Sequence, residues 1–335
     1  MSTNMRKRTA ELILIASLGF QPCFVHAHPP SGIVVDKEGS VYFLKFVTRA
    51  DDERGQLWKL APDRTLTNIP ETHDGRRLSR PHKLAIDSSD GTLYIGAADR
   101  FVKVSPDGSV STLDFSKGPP PFRDSPLAVD QQGNLYYYSI GLRSERSQNL
   151  RQLVRIDARG ESHIVAGSTE GHRDGTGEDA QFVHMQAIAA GPSGELYVAD
   201  GDGRTGSWIR RVAREGIVTT IAGSSEVGWA DGRESATRFQ RLGGLSIDEE
   251  GSLYVADPFN ERIRKVTQDA VVTTFAGSGA AGDTDGPAAE ASFTHPSGVA
   301  VGPDGDVYVL DGSAKVARVR RISPDASVVT IAVVR

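Results

Sequence analysis

One unit recurs six times along this chain, and self-similarity at a spacing of several tens of residues restricts the fold to solenoids, propellers or arrays. Its first segment reads Gly32-Ile-Val-Val-Asp36, Lys83-Leu-Ala-Ile-Asp87, Pro126-Leu-Ala-Val-Asp130, Ala187-Ile-Ala-Ala-Gly191, Gly244-Leu-Ser-Ile-Asp248 and Gly298-Val-Ala-Val-Gly302. A Gly-containing turn follows, and then a second segment built around Tyr42, Tyr94, Tyr136, Tyr197, Tyr254 or Tyr308, each among β-forming residues as in Ser252-Leu-Tyr-Val255. Third and fourth segments complete the unit, as in Arg262-Ile-Arg-Lys-Val266 followed by Val271-Val-Thr-Thr-Phe275. Four short strands joined by turns, with no helical periodicity between units, predict an all-β fold, a six-bladed β-propeller of four-stranded antiparallel blades. The blades are expected at about residues 31–70, 81–115, 124–167, 184–223, 241–277 and 296–335. The run begins with an innermost strand at Ile33 and ends with an outermost one at Val334, so the ring is expected to close by side-chain packing, with no strand exchanged between the first and last blades.

The start of the chain has a different character. Arg6, Lys7 and Arg8 precede an apolar stretch from Leu12 to Phe20 and the small-residue pattern Val25-His26-Ala27, which predicts a signal peptide over residues 1–27, cleaved near Ala27, and a secreted or periplasmic destination. No apolar run reaches the roughly 18 residues of a spanning helix, so no membrane span is expected in the mature chain. The 38 basic residues are outnumbered by 43 acidic ones, and loss of the leader removes three of the former and one of the latter, Glu11. A body this acidic argues against a nucleic-acid partner, whose phosphates would repel it. The single cysteine, Cys23, falls within the leader, so neither a disulfide nor a Cys-ligated metal is expected beyond it.

From residue 153 onward the pattern is more detailed. Ile221-Ala-Gly-Ser224, Trp229-Ala-Asp-Gly232, Phe239, Gly251-Ser-Leu-Tyr-Val-Ala-Asp257 and Asn260-Glu-Arg-Ile-Arg-Lys-Val266 resemble consecutive NHL repeats. Blades 1 and 2 lack the Ala-Gly ending and the long loop, so there the resemblance lies in the strand pattern alone. The resemblance implies a six-bladed propeller that serves as a binding platform or, as in some relatives, as a metal-dependent enzyme.

Loops that join one blade to the next, and second strands to third strands, emerge on the same face of a propeller. Three of them are long, at residues 168–185, 224–242 and 278–296, and each carries Asp-Gly followed by Phe: Asp174 with Phe182, Asp231 with Phe239, Asp285 with Phe293. The phenylalanines suit plugs between blades and Asp-Gly suits a tight turn, with calcium binding by the three aspartates as the alternative. Asp200, Asp257 and Asp311, at the ends of second strands, are expected to act as hydrogen-bonding caps.

Residues just before the innermost strands should ring the axial channel, and there the sequence places Arg80, His82, Arg123, His184, Arg241 and His295. Converging guanidinium groups favour a carboxylate or phosphate ligand, unless they pair with loop carboxylates such as Asp124 and Glu178. His82, His184 and His295 are also candidate metal ligands, since a catalytic zinc commonly keeps three protein ligands. Pro81-His82-Lys83-Leu84 is similar to the Pro-His-x-Leu segment of peptide-amidating lyase propellers, although the matching places in other blades hold Ser31, Ser125, Gln186, Gly243 and Ser297. Ser297-Gly-Val-Ala-Val-Gly-Pro-Asp-Gly305 resembles a gluconolactonase segment without its metal-binding Asn. The expected function is therefore a recognition scaffold that takes a protein, peptide or anionic carbohydrate ligand on its loop-rich face. The alternative is a metal-dependent hydrolase or lyase at the channel mouth, with zinc or calcium as its cofactor.

Overall fold

Each repeat folds into one antiparallel sheet in the computed structural model, which describes residues 32–335 apart from 50–51, 70–71, 74–75, 78–80, 98–99, 114, 116–117, 123, 144–147 and 314. The expected leader, Arg80 and Arg123 lie outside the described residues. Blade 1 is typical, with strands Ile33–Val35, Val41–Arg49, Asp52–Leu60 and Leu66–Ile69 side by side in chain order. The six innermost strands, Ile33–Val35, Lys83–Ile86, Leu127–Val129, Met185–Ala190, Leu245–Ile247 and Gly298–Val301, touch one another in sequence around a ring, and the first also touches the last. No strand is exchanged at this closure. Ile33, Val41 and Phe43 of blade 1 pack directly against Ala300, Tyr308, Leu310 and Val319 of blade 6.

The turn between first and second strands explains two recurring sequence letters. Asp36 accepts hydrogen bonds from the amides of Glu38 and Ser40 and from the Tyr42 hydroxyl, and Asp130 does the same for Gln132, Asn134 and Tyr136. The glycine three residues before each tyrosine, from Gly39 to Gly305, has φ between 76° and 82°, a left-handed conformation that side chains disfavour.

Blades 4, 5 and 6 differ from the four-stranded expectation, because each has a fifth strand. Gly175–Thr176, Gly232–Arg233 and Gly286–Pro287 pair with the outer strands at Ile217 and Val218, Val271 and Val272, and Ser327 and Val328. The long loop preceding each of these blades thus first covers its outer edge, where unpaired backbone groups would invite aggregation, and then runs inward to the innermost strand. Phe182, Phe239 and Phe293 lie on this inward path, fully buried between adjacent blades among residues such as Tyr138, Ala187 and Ala256.

A buried arginine organises each of these loops. The Arg264 guanidinium, with no solvent exposure, donates through Nη1 to Asp257 at 3.1 Å and the Arg238 carbonyl at 3.1 Å, and through Nη2 to Asp231 at 2.7 Å and the Ala230 carbonyl at 2.8 Å. It also lies over the Phe239 ring, 5.0 Å from its centroid. Arg210 repeats the pattern with Asp200, Asp174 and Phe182, and Arg320 with Asp311, Asp285 and Phe293. Asp174, Asp231 and Asp285 are therefore ion-paired anchors of the loop, and threonines of the outer strand, Thr220, Thr274 and Thr330, supply further donors to them. Both oxygens of Asp174 and Asp285, and Oδ1 of Asp231, are engaged by arginine and threonine, which favours the anchoring role over calcium binding.

Removing one member of such a buried network strands the rest without partners, which costs about 3–5 kcal/mol. Arg264→Ala is expected to lose stability by about that amount in urea denaturation, whereas Arg233→Ala, at an exposed pair with Asp269, should leave the midpoint unchanged. Burial opposes ionisation of Asp285, but the Thr330 amide and hydroxyl and the Arg320 charge outweigh it and hold the carboxyl below its usual value. Its contribution is present above the unfolded value of 3.8 and disappears as pH falls through the lower folded value. The melting-temperature gap between wild type and Asp285→Asn should therefore be full at neutral pH and close on the acid side of pH 4.

Candidate functional site

The carboxylates that receive the buried arginines also fix the backbone at the channel mouth. Asp200 Oδ1 accepts the amides of Val183 and His184, both at 2.9 Å. Asp311 Oδ1 accepts the Thr294 amide at 2.7 Å, and Asp257 Oδ1 lies 3.5 Å from the Gln240 amide. Capping of the second strand and presentation of the residues ahead of the first strand are thus one interaction. Burial raises the carboxyls of Asp200 and Asp311 to about 6, so each relies on its arginine to stay ionised. His184, Arg241 and His295 follow directly from these clamped positions.

They meet in one funnel around the propeller axis, open to solvent and with a cavity volume of about 100 Å³. His82, Lys83, Asp124, His184, Arg241 and His295 supply its polar groups, and Met185, Leu242, Pro258 and Phe259 its apolar wall. Four of the six residues expected at the mouth, His82, His184, Arg241 and His295, are therefore brought together from blades 2, 4, 5 and 6. Gly243 and Gly244 allow blades 5 and 6 to approach at the throat, where a Cβ on Gly243 would stand 2.6 Å from the Ser297 carbonyl oxygen and the Gly244 amide donates to that same oxygen at 2.8 Å.

Among the described lining residues, cationic and imidazole groups outnumber acids. Asp124 is the one acid among the described lining residues, and its Oδ1 sits 2.7 Å from His82 Nε2. Lys83 reaches from blade 2 to donate to the Gln186 carbonyl of blade 4 at 2.9 Å. Burial pulls its ammonium down to about 8, aided by the charge of Arg241 and opposed by Asp124. His295 is lowered by burial and by Arg241 as well. Burial is the larger cause of both shifts, and the charge of Arg241 adds to it.

Some left-handed backbone also occurs here. Of the described non-glycine residues with left-handed φ, Asp124 at 64°, Glu261 at 52° and His295 at 68° lie at or beside the funnel. The His295 amide is held by Glu261 Oε2 at 2.6 Å, and its ring meets Phe259 edge to face at 5.2 Å. His184 is similarly seated between Phe122 and Tyr138, at 5.9 and 5.5 Å. No group of three His, Cys, Asp or Glu side chains suited to hold a metal occurs among the described residues. Two of the serines at the gluconolactonase-like positions are engaged by backbone carbonyls. Ser125 Oγ donates to the Pro126 carbonyl, Ser297 Oγ to the Leu310 carbonyl, and Ser31 lies outside the described residues.

Two family models match the chain, the Teneurin NHL domain over residues 67–229 and the NHL repeat over residues 293–321. The chain is an NHL-repeat β-propeller. The first match begins at residue 67, so the NHL likeness extends through blade 2, which the sequence motifs alone did not show. Teneurin-3 of Mus musculus is 25% identical over a region covering 77% of this chain and 10% of the relative, and NHL repeat-containing protein 3 of Homo sapiens is 23% identical over 56% of this chain and 51% of its own. This NHL propeller thus spans about a tenth of the length of the teneurins it matches. Among solved structures, an auxiliary nutrient binding protein from Bacteroides thetaiotaomicron superposes with a TM-score of 0.65 at 17% identity, covering 91% of this chain and 69% of that one. Streptogramin B lyase superposes with a TM-score of 0.51 at 14% identity, covering 90% of this chain and 83% of the lyase. These similarities establish the fold.

Sequence reasoning missed Lys83 and Phe259 in the NHL funnel. Lys83 had a visible signal, being the one long side chain among the six leading positions of the innermost strands. Phe259 had none, since it sits in a one-turn 3-10 segment, Pro258–Asn260, that periodicity does not report. The left-handed backbone at His295 predicts a selective tolerance: His295→Asn should melt as wild type, whereas the β-branched His295→Val should cost about 1–2 kcal/mol by calorimetry.

Proposed function

We propose that this NHL propeller is an exported binding protein whose axial funnel takes the anionic group of its ligand. The observation that carries the reading is the gathering of Lys83, Arg241 and three imidazoles around a cavity to which the described lining contributes one carboxylate, itself engaged with His82. A carboxylate or phosphate entering the funnel would gain charge-assisted hydrogen bonds in a partly desolvated site, while Met185, Leu242, Pro258 and Phe259 cover its apolar part. Export rests on the basic and apolar pattern of residues 1–27. The auxiliary nutrient binding protein shares this fold, which is compatible with a binding role.

Calorimetric titration with mono- and dicarboxylates and inorganic phosphate tests the reading. At least one is expected to bind with a dissociation constant below about 1 mM, with Arg241→Ala weakening it about tenfold and added salt weakening it further. Failure of all of them to bind at about 10 mM would overturn it. A metal-dependent hydrolase or lyase is the second reading: His82, His184 and His295 line one cavity, although they are not grouped as a ligand set in this structure. Stoichiometric zinc or calcium in purified protein, lost in His184→Ala, would replace the binding reading with this one.

A further inference from the structure

Beside the funnel, blade 5 exposes two aromatic rings that its packing does not require. Phe259 is 49% exposed and Trp229 48% exposed, with Val227 also open to solvent. Most large apolar side chains of the described fold are buried, so two aromatics on one patch of surface need a reason. Both are rigidly mounted. Trp229 Nε1 donates to Thr274 Oγ1 at 3.1 Å, and the Arg262 guanidinium covers one face of the indole, 4.3 Å from its centroid. Asn260, next to Phe259, donates to the Gly228 carbonyl next to Trp229 at 2.8 Å, and Arg262 donates to the Asn260 carbonyl at 2.7 Å. One polar hub therefore locks both aromatics, and Phe259 is at the same time part of the funnel wall.

The equivalent place in the neighbouring blades shows that this tryptophan is not a folding requirement. Two residues before each loop aspartate stand His172, Trp229 and Asp283, and two residues before each buried arginine stand Trp208, Arg262 and Arg318. Blade 4 joins them as a His172–Trp208 stack at 4.0 Å, and blade 6 as an Asp283–Arg318 ion pair at 2.6 Å. An ion pair does the same fastening without exposing an aromatic. Only in blade 5, among these three, does the contact leave an indole face open beside the funnel.

From this juxtaposition we infer that Trp229 and Phe259 form a stacking track that leads into the funnel, and that its occupant is an oligosaccharide whose terminal unit carries a carboxylate. The inference rests on the anion-binding reading of the funnel and specifies the ligand. A pyranose ring presents weakly positive C–H bonds on its face, which suit the negative face of an indole or phenyl ring. Its equatorial hydroxyls point sideways, toward donors and acceptors such as those of Asn260, Arg262 and Thr274 around the two rings. The carboxylate of the end unit supplies the charge that Lys83 and Arg241 complement. Aromatics already held in place lose little entropy on binding, so each stacked sugar should add affinity.

Galacturonate, tri-galacturonate and the tripeptide Gly-Gly-Phe, which shares the free carboxylate, are the probes, read by calorimetry and tryptophan fluorescence. Tri-galacturonate is expected to bind at least about tenfold more tightly than galacturonate. Trp229→Ala, at an exposed position outside the funnel lining, should remove most of that gain while leaving galacturonate binding by the funnel in place, and Phe259→Ala should weaken the trisaccharide more than the monosaccharide. Trp229→Phe should keep affinity for the trisaccharide but abolish its fluorescence change, since Trp58 and Trp208 lie elsewhere. A trisaccharide no tighter than the monosaccharide, indifference to Trp229→Ala, tighter binding of the tripeptide, or no saccharide binding at all would each overturn the inference. If galacturonate alone binds and needs Arg241, the track fails and the funnel reading stands. If the trisaccharide needs Trp229 and Phe259 but not Arg241, the track stands and the funnel reading falls.

Discussion

A guanidinium group buried without exposure is stable only if its charge and its N–H donors find partners, and in blades 4, 5 and 6 that requirement shapes everything nearby. Arg210, Arg264 and Arg320 each draw one aspartate from the end of a second strand and one from the preceding loop, and each covers a phenylalanine wedged between blades. The loop is thereby fastened to the outer edge of the blade it precedes, and its last residues are delivered to the axis. Because Asp200, Asp257 and Asp311 contact both the arginine and the backbone before the innermost strand, the interaction that stabilises the blade also aims the residues of the funnel.

The first three blades solve the packing problem by other means. Between blades 2 and 3, Phe101, Phe115 and Tyr137 form a cluster of edge-to-face rings with centroids 5.3 to 5.9 Å apart. The loop that follows is seated by hydroxyl groups of blade 3, Tyr137 donating to the Pro119 carbonyl and Ser139 to the Pro120 carbonyl, with no buried arginine among the described residues at this place. The funnel is accordingly asymmetric: blades 4, 5 and 6 contribute His184, Arg241 and His295 from arginine-clamped loops, while blade 2 contributes Lys83 and the His82 that pairs with Asp124 of blade 3. A site assembled from five blades of a repeating fold owes its chemistry to the places where the repeats differ. Lys83 stands where other blades have small residues or proline, and Trp229 stands where they have histidine or aspartate.

Much of this was legible before any coordinates. The repeat, the tyrosines and the turn glycines describe local preferences of strand and turn, which depend on neighbours in the chain and repeat with it. The placement of His82, His184, Arg241 and His295 at one mouth followed from the blade geometry, since residues ahead of each innermost strand must face the axis. The fifth strands were not legible, because two-residue segments such as Gly232–Arg233 carry no periodicity and exist only where an outer strand offers them partners.

The sequence by itself determined the number of blades and their order, and the folded ring shows how the first and last blades meet. Tertiary structure alone decided what the charged residues do. Asp174, Asp231 and Asp285 anchor arginines because those arginines are buried within reach, and Asp124 serves His82 because two blades meet there. A charge in a sequence has no partner until the chain has folded, since pairing depends on distances of a few ångströms between residues tens of positions apart, and on how much water the fold removes from between them.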